Sequence, residues 1–274
     1  MSGGGCGAMS EKASLKPARS KESTAHVLLV TVLLCLICSV LVTTAAVVLR
    51  PMQEYNKALD RKKNILRAAG LLEEGKDIDE LFKQIELKVV DLDTGKYIEH
   101  INAEEYDLDQ ALKDPQSSSP VRARVDIARI GRRENYGRIG LVEKNGQIES
   151  IILPIRGAGL YSTLHGFIAL DRDGTTVRGL SFHEQGETPG LGGEIENSRW
   201  LAKWSGKRIY DNDRAVRIDV IKGAVPAGKP EAVHQIDGIS GATLTSRGVS
   251  NLVRFWFSDA GYKTLLTRIA KPVD

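Results

Sequence analysis

Twenty-three consecutive residues, Val27 to Leu49, carry no charge and are mostly aliphatic: VLLVTVLLCLICSVLVTTAAVVL. As a helix at ~1.5 Å per residue this run spans about 35 Å, enough to cross a hydrocarbon core of ~30 Å. A signal peptide is the rival reading, but its apolar region is usually only ~7–15 residues long. The run therefore predicts an uncleaved single-pass transmembrane helix at 27–49, after an N-terminal arm at 1–26 and before a helical stalk at 50–75. Lys12, Lys16, Arg19 and Lys21 precede the span, and Arg50, Lys57, Arg61, Lys62, Lys63 and Arg67 follow it. Counted by the positive-inside rule, these charges lean against an outward C-terminal domain. Cys35 and Cys38 lie three apart, on one helix face, and read as small packing residues.

The three cysteines, Cys6, Cys35 and Cys38, all precede Arg50. The rest of the chain can therefore hold neither a disulfide scaffold nor a Cys-ligated zinc or iron–sulfur site. Lys and Arg total 38 against 35 Asp and Glu, a net charge of +3. That balance argues against a nucleic-acid partner, which selects clustered positive charge.

Beyond the span the pattern predicts one α+β domain at 76–274 with a largely antiparallel sheet. The stalk has helical periodicity from Met52 to Leu72, ending near Gly70, and a second short helix fits Ile78 to Ile85. Val89–Leu92 and Lys96–Glu99 flank Asp93-Thr94-Gly95 as a hairpin signal. Lys113 to Pro120 reads as a loop. Strands fit Gly140–Glu143, Glu149–Ile155, Gly166–Leu170 and Thr175–Ser181, with turns at Asn145-Gly146 and Asp171–Gly174. A further strand fits Ala215–Lys222. The end is helical, with Val249, Leu252, Val253 and Trp256 on one face, then Tyr262, Leu265, Leu266 and Ile269.

Several familiar motifs fail. His183-Glu184 opens like a zinc-protease helix, but position 187 is Glu rather than the second histidine, and Gly186 and Pro189 spoil the helix. Pro189-Gly190-Leu191-Gly192-Gly193 is neither a dinucleotide fingerprint nor a P-loop. No Gly-x-Ser-x-Gly nucleophile elbow is present. His183 reads as a hydrogen-bonded structural histidine.

One stretch carries chemistry: Asp237-Gly238-Ile239-Ser240-Gly241-Ala242-Thr243-Leu244-Thr245-Ser246. Two glycines and an alanine allow close approach of a bulky planar group. A helix starting near Thr243 would present N–H groups without intrahelical partners, a setting that favours phosphate. Thr243, Thr245 and Ser246 offer hydroxyls there, and an ordinary Ser/Thr N-cap is the simpler alternative.

Asp-x-x-Ser-Gly-Ala-Thr resembles the flavinylation motif of the FMN-binding domain family. In that family a flavin transferase uses FAD and Mg²⁺ to join FMN, through its phosphate, to the motif threonine. Two further segments agree in order. Glu187-Thr188-Pro189-Gly190-Leu191-Gly192 resembles the family's Glu-Thr-Pro-Gly-Leu-Gly segment beside the flavin ring. Gly157-Ala158-Gly159-Leu160-Tyr161 resembles its Gly-x-Gly-Leu-Trp segment, with Tyr161 in place of the tryptophan. With its span and stalk, the whole chain is similar to the NqrC family, a component of Na⁺-translocating NADH:quinone reductases. The FMN-carrying RnfG component of ferredoxin-linked Rnf complexes and a non-redox anchored domain are the other readings.

The resemblance implies a membrane-bound redox subunit that carries electrons on covalent FMN and is not active alone. Thr243 would bear the phosphoester, with Ser240, Gly241, Ala242, Leu244 and Thr245 around it. Thr188, Leu191 and Tyr161 would line the ring. Glu187 and Lys222 are further candidates, each open to reading as a solvated charge. Asp237 is assigned to the modification motif, with an Asx turn as its alternative role. The implied partners are the other subunits, the flavin transferase and the membrane, with no nucleic acid and no metal. The implied location is the bacterial inner membrane, with the flavin domain in the periplasm.

Overall fold

The computed structural model describes residues 23–270, so most of the predicted N-terminal arm, with its four basic residues and Cys6, lies outside the described residues. The first element is a single helix, α1 (Thr24–Ala69), long and apolar enough to cross a membrane. Cys35 and Cys38 are exposed on it. The helix runs through Pro51, although proline gives up one i→i−4 hydrogen bond. The chain divides into compact units at Tyr55/Asn56. The second unit thus begins inside α1, and the helix residues Ile65, Leu66, Ala68 and Ala69 are buried in it.

That unit is built on a five-stranded antiparallel sheet, order β1-β4-β5-β6-β7, from β1 (Ile85–Asp91), β4 (Tyr136–Lys144), β5 (Gln147–Ala158), β6 (Thr163–Asp171) and β7 (Val177–Glu184). Minor elements precede, interrupt or follow it: α2 (Ile78–Phe82), α3 (Leu108–Lys113), the small pair β2 (Ser118–Pro120) and β3 (Arg132–Glu134), and α4 (Ser198–Leu201). Both faces of the sheet are covered. Ile151, Leu153, Ile155, Ile168 and Leu180 pack with α5 (Thr243–Trp256) and α6 (Lys263–Ile269). Ile152, Phe167, Ala169 and Val142 face the end of α1 and Leu81 of α2. Double coverage explains the unbroken apolar run Ile151–Ile155, since residues of both parities are buried.

The α+β, antiparallel reading holds, and the central strands extend beyond their predicted ends. Four local expectations need correction. The predicted Lys113–Pro120 loop ends in the strand β2. The predicted hairpin keeps its turn, where Asp91 accepts from the amides of Asp93 and Thr94, but its second arm is short: Asp91 N–H donates to Lys96 O (2.9 Å), Ile98 N–H donates to Val89 O (2.8 Å), and Val90 bridges Tyr97. Along its other edge β1 pairs with the distant β4. The predicted helix Ile78–Ile85 stops at Phe82, and Ile85 already opens β1. The strand Ala215–Lys222 shrinks to β8 (Asp219–Val220), paired in parallel with β9 (Gln235–Ile236).

On the α1 side of the sheet, a cavity of about 400 Å³ is lined by residues including Arg61, Arg138, His165, Phe167 and His183. His183 is not the hydrogen-bonded histidine that its sequence setting suggests. Its ring stacks on Phe167 with centroids 4.9 Å apart, and its Nδ1 has no partner. Burial, reinforced by the Arg61 guanidinium and by His165, pushes its pKa from 6.5 down to about 4. His165 shifts the same way, chiefly through burial. The folded chain therefore binds fewer protons than the unfolded chain between pH 6.5 and about 4. The His183 contribution to stability should be full above that window, fall as pH drops through it, and level off below it, at most about 3 kcal/mol in all. Thermal unfolding of the detergent-solubilised chain checks this: Tm should fall across the window, and His183→Gln should flatten the slope. An unchanged slope in the variant would contradict the assignment.

Candidate functional site

Three segments far apart in sequence meet beside the end of β5, and a buried carboxylate joins them. Glu187 is only 4% exposed. Its Oε1 accepts from the amides of Leu160 (3.0 Å), Tyr161 (2.9 Å) and Ser162 (3.3 Å). Its Oε2 accepts from the Thr245 hydroxyl at 2.6 Å. No ion pair to Glu187 occurs among the described residues, so these four donors offset the cost of burying the charge. The Ser162 hydroxyl in turn accepts from the Gly186 amide at 2.6 Å. The close approach needs glycine twice. A Cβ on Gly159 would stand 2.5 Å from Glu187 Oε1, and one on Gly192 would stand 2.6 Å from Thr245 Oγ1. Glu187 is therefore neither a solvated charge nor a surface residue; it clamps the Gly159–Ser162 loop to the first turn of α5.

That first turn has an unusual terminus. Its N-cap is Ala242, and no side chain caps it. No described residue accepts from the backbone N–H groups of Thr243, Leu244 or Thr245. The simple Ser/Thr cap is thus absent. Of the three hydroxyls nearby, that of Thr245 is bound to Glu187 and that of Ser246 accepts from the Ile239 amide at 3.2 Å. Thr243 is left as the exposed hydroxyl over an unsatisfied helix start, where partial positive charge collects.

Around Thr243 the loops expose apolar side chains. Tyr161 is 71% exposed, Leu244 53%, Leu191 45% and Leu160 44%. Leu191 reaches the motif loop: a Cβ on Gly241 would lie 2.9 Å from its Cδ2. Ser240 and Gly241 are exposed and Ala242 is buried. Thr188 is exposed, and its carbonyl accepts from the amides of Leu191 (3.1 Å) and Gly193 (3.0 Å), closing the Pro189-Gly190 turn. Lys222 is exposed in a segment held to the motif loop by the bond from Gly238 N–H to Gly223 O at 2.9 Å.

Asp237 does not form the Asx turn that its sequence position allows. Its carboxylate binds Lys203 Nζ at 2.7 Å and accepts from the Val225 amide at 2.7 Å, while its carbonyl accepts from Trp200 Nε1 at 2.9 Å. The Lys203 ammonium, first, and the Val225 amide hold its pKa below the usual carboxylate value. Lys203, Val225 and Trp200 are not legible in the sequence as motif partners, because their only signal is long-range pairing.

An organic phosphate fits this arrangement. Free N–H groups lie beside an exposed threonine, and the surrounding apolar side chains suit a planar ring. Among the described residues, no group of three or more His, Cys, Asp or Glu side chains is arranged to hold a metal ion.

Similarity to known proteins agrees with the site. The family model described as "FMN-binding domain" matches residues 159–258, which hold the Glu187 clamp and Thr243. The C-subunit of the Na⁺-translocating NADH-quinone reductase from Pseudomonas aeruginosa is 46% identical over 256 residues, covering 92% of this chain and 98% of that protein. Its counterpart from Yersinia pestis is 44% identical over 262 residues, covering 94% and 97%. The crystal structure of Shewanella oneidensis NqrC superposes with a TM-score of 0.70 at 32% identity, over 76% of this chain and 95% of that one. The crystal structure of the Parabacteroides distasonis C-subunit gives 0.61 at 28% identity, over 80% and 97%. The chain belongs to the NqrC family, the C-subunits of Na⁺-translocating NADH-quinone reductases.

Proposed function

We propose that this chain is a redox subunit of a membrane-bound Na⁺-pumping NADH:quinone oxidoreductase and carries FMN on Thr243 through a phosphoester. The observation that carries the reading is the uncapped start of α5, with the exposed Thr243 hydroxyl beside three unpartnered amides in the segment that the FMN-binding model matches. The flavin, once bound, supplies the redox chemistry, and the protein supplies attachment, orientation and tuning. The α5 amides would hold the phosphate, while Thr188, Leu191 and Tyr161 would flank the ring. Glu187 would set the angle of the Tyr161 loop to the helix and contribute a fixed negative charge nearby.

Maturation would need a flavin transferase, and Asp237 would serve it. Its carboxylate is part-exposed and fixed by Lys203 and Val225, six residues before Thr243. Family resemblance would place the flavin domain in the periplasm, with α1 as the single span in the inner membrane. The chain holds no nicotinamide fingerprint, and hydride transfer demands a nicotinamide held in reactive geometry. It would therefore exchange electrons with other subunits of the complex.

Two outcomes test the reading. The purified flavinylated chain should be bleached by dithionite but only negligibly by NADH in stopped-flow absorbance, and rapid bleaching by NADH alone would make this chain the entry point instead. Asp237→Asn, which retains an acceptor for the Val225 amide, should give folded protein without flavin. Normal flavin absorbance in that variant would leave Asp237 with a structural role only.

The clamp yields a separate expectation. Glu187→Gln can still accept from the three loop amides and can donate to the Thr245 oxygen, so fold and flavin content should persist. The lost negative charge should make the flavin easier to reduce, seen as a positive shift in redox titration. Glu187→Ala would leave buried donors unpaired and should cost about 3 kcal/mol of stability. Equal potentials for wild type and Glu187→Gln would remove the tuning role.

A further inference from the structure

The segment 121–133, VRARVDIARIGRR, holds five arginines and one carboxylate in a chain whose charges otherwise nearly balance. The structure sorts them into two groups. Arg132 donates to Ser118 Oγ (3.0 Å) and Ser118 O (2.7 Å), and Arg133 donates to Ala260 O (2.7 Å) and pairs with Asp93. Arg122, Arg124 and Arg129 are exposed, and none donates a side-chain hydrogen bond or forms an ion pair among the described residues. Between them Val125 and Ile127 are 41% and 44% exposed.

This surface is rigid rather than a loose basic tail. Asp126 accepts from the amides of Ile130 and Gly131, both at 2.8 Å, and Val121 N–H donates to Gly131 O at 2.9 Å. Arg129 is held at φ 54°, a left-handed conformation that costs an L-residue roughly 1 kcal/mol or more and persists where surrounding contacts enforce it. Ala128 is buried, and its carbonyl accepts from Ala158 N–H at 2.8 Å. The segment is therefore seated on the end of β5, immediately before the Gly159–Ser162 loop clamped by Glu187. Its arginines and aliphatic side chains stand at the end of the domain assigned above to the flavin.

We infer that the Val121–Gly131 loop is a docking surface for an acidic protein partner, one that presents carboxylates around a shallow apolar recess. The inference rests on the proposed role as an electron-carrying subunit, which needs a partner surface near the flavin. Arginine rather than lysine suits it, because the guanidinium fork matches carboxylates and is favoured in protein interfaces. A preorganised loop loses little entropy on docking. Uncompensated charge also steers encounter with an oppositely charged face. A bilayer fits less well, since membrane interfaces favour Trp and Tyr and this loop has neither.

The test uses the full chain in its membrane complex, with an epitope tag that reports this chain whether or not flavin is attached. A photo-crosslinking residue at Val125, and separately at exposed Ala123, should join the chain to one partner protein at a peptide rich in Asp or Glu. Converting Arg122, Arg124 and Arg129 together to Glu should cut crosslinking about tenfold or more and slow NADH-driven quinone reduction, with visible flavin absorbance unchanged. The triple Lys variant should retain part of both. Crosslinks to lipid alone, no crosslink at either position, or undiminished yield in the Glu variant would overturn the proposal. A wild-type chain that crosslinks to the acidic partner but carries no flavin would count against the flavin assignment and not against the docking surface.

Discussion

The Glu187 carboxylate is the contact on which the candidate site depends. A buried charge is stable only when its acceptor capacity is filled, and here three loop amides and one hydroxyl fill it. Those donors come from the Gly159–Ser162 loop and from α5, so desolvation of a single side chain fixes the relation between segments distant in sequence. The same crowding excludes side chains at Gly159 and Gly192. Glycine at these two positions thus follows from the clamp.

The clamp also narrows the hydroxyls left for chemistry. By binding Glu187, Thr245 is withdrawn from the helix start, and Ser246 is withdrawn by the Ile239 amide. A helix normally satisfies its first amides with such residues. Here the N-cap is alanine, and the amides beside Thr243 remain open. An ordinary cap would stabilise the helix by about 1 kcal/mol. Its absence is the local cost of a terminus that favours an anion. The exposed Leu160, Tyr161, Leu191 and Leu244 are the apolar counterpart of that open site.

Much of this is legible in the sequence where the signal is local. The apolar span, the Ile151–Ile155 strand and the helix beginning at Thr243 all follow from periodicity or turn chemistry. What is not legible is pairing at a distance. Nothing near Glu187 in sequence announces the Leu160–Ser162 amides, and nothing near Asp237 announces Lys203 or Val225. The sheet order is hidden for the same reason: the local hairpin arm occupies one edge of β1, and nothing near it in sequence announces that the other edge pairs with β4 over seven residues. The environment of His183 is likewise hidden, being a stacked ring and a guanidinium supplied by other elements.

The central claim is that Thr243, and no neighbouring hydroxyl, carries the flavin. Trypsin should release residues 223–247 as one peptide, since Lys229 is followed by Pro230. That peptide holds Ser240, Thr243, Thr245 and Ser246 together, so fragmentation mass spectrometry can distinguish them. Chain matured in its native membrane should show this peptide carrying an added FMN phosphoryl group located on Thr243. An unmodified peptide, or the same group on Ser240, Thr245 or Ser246, would contradict the account.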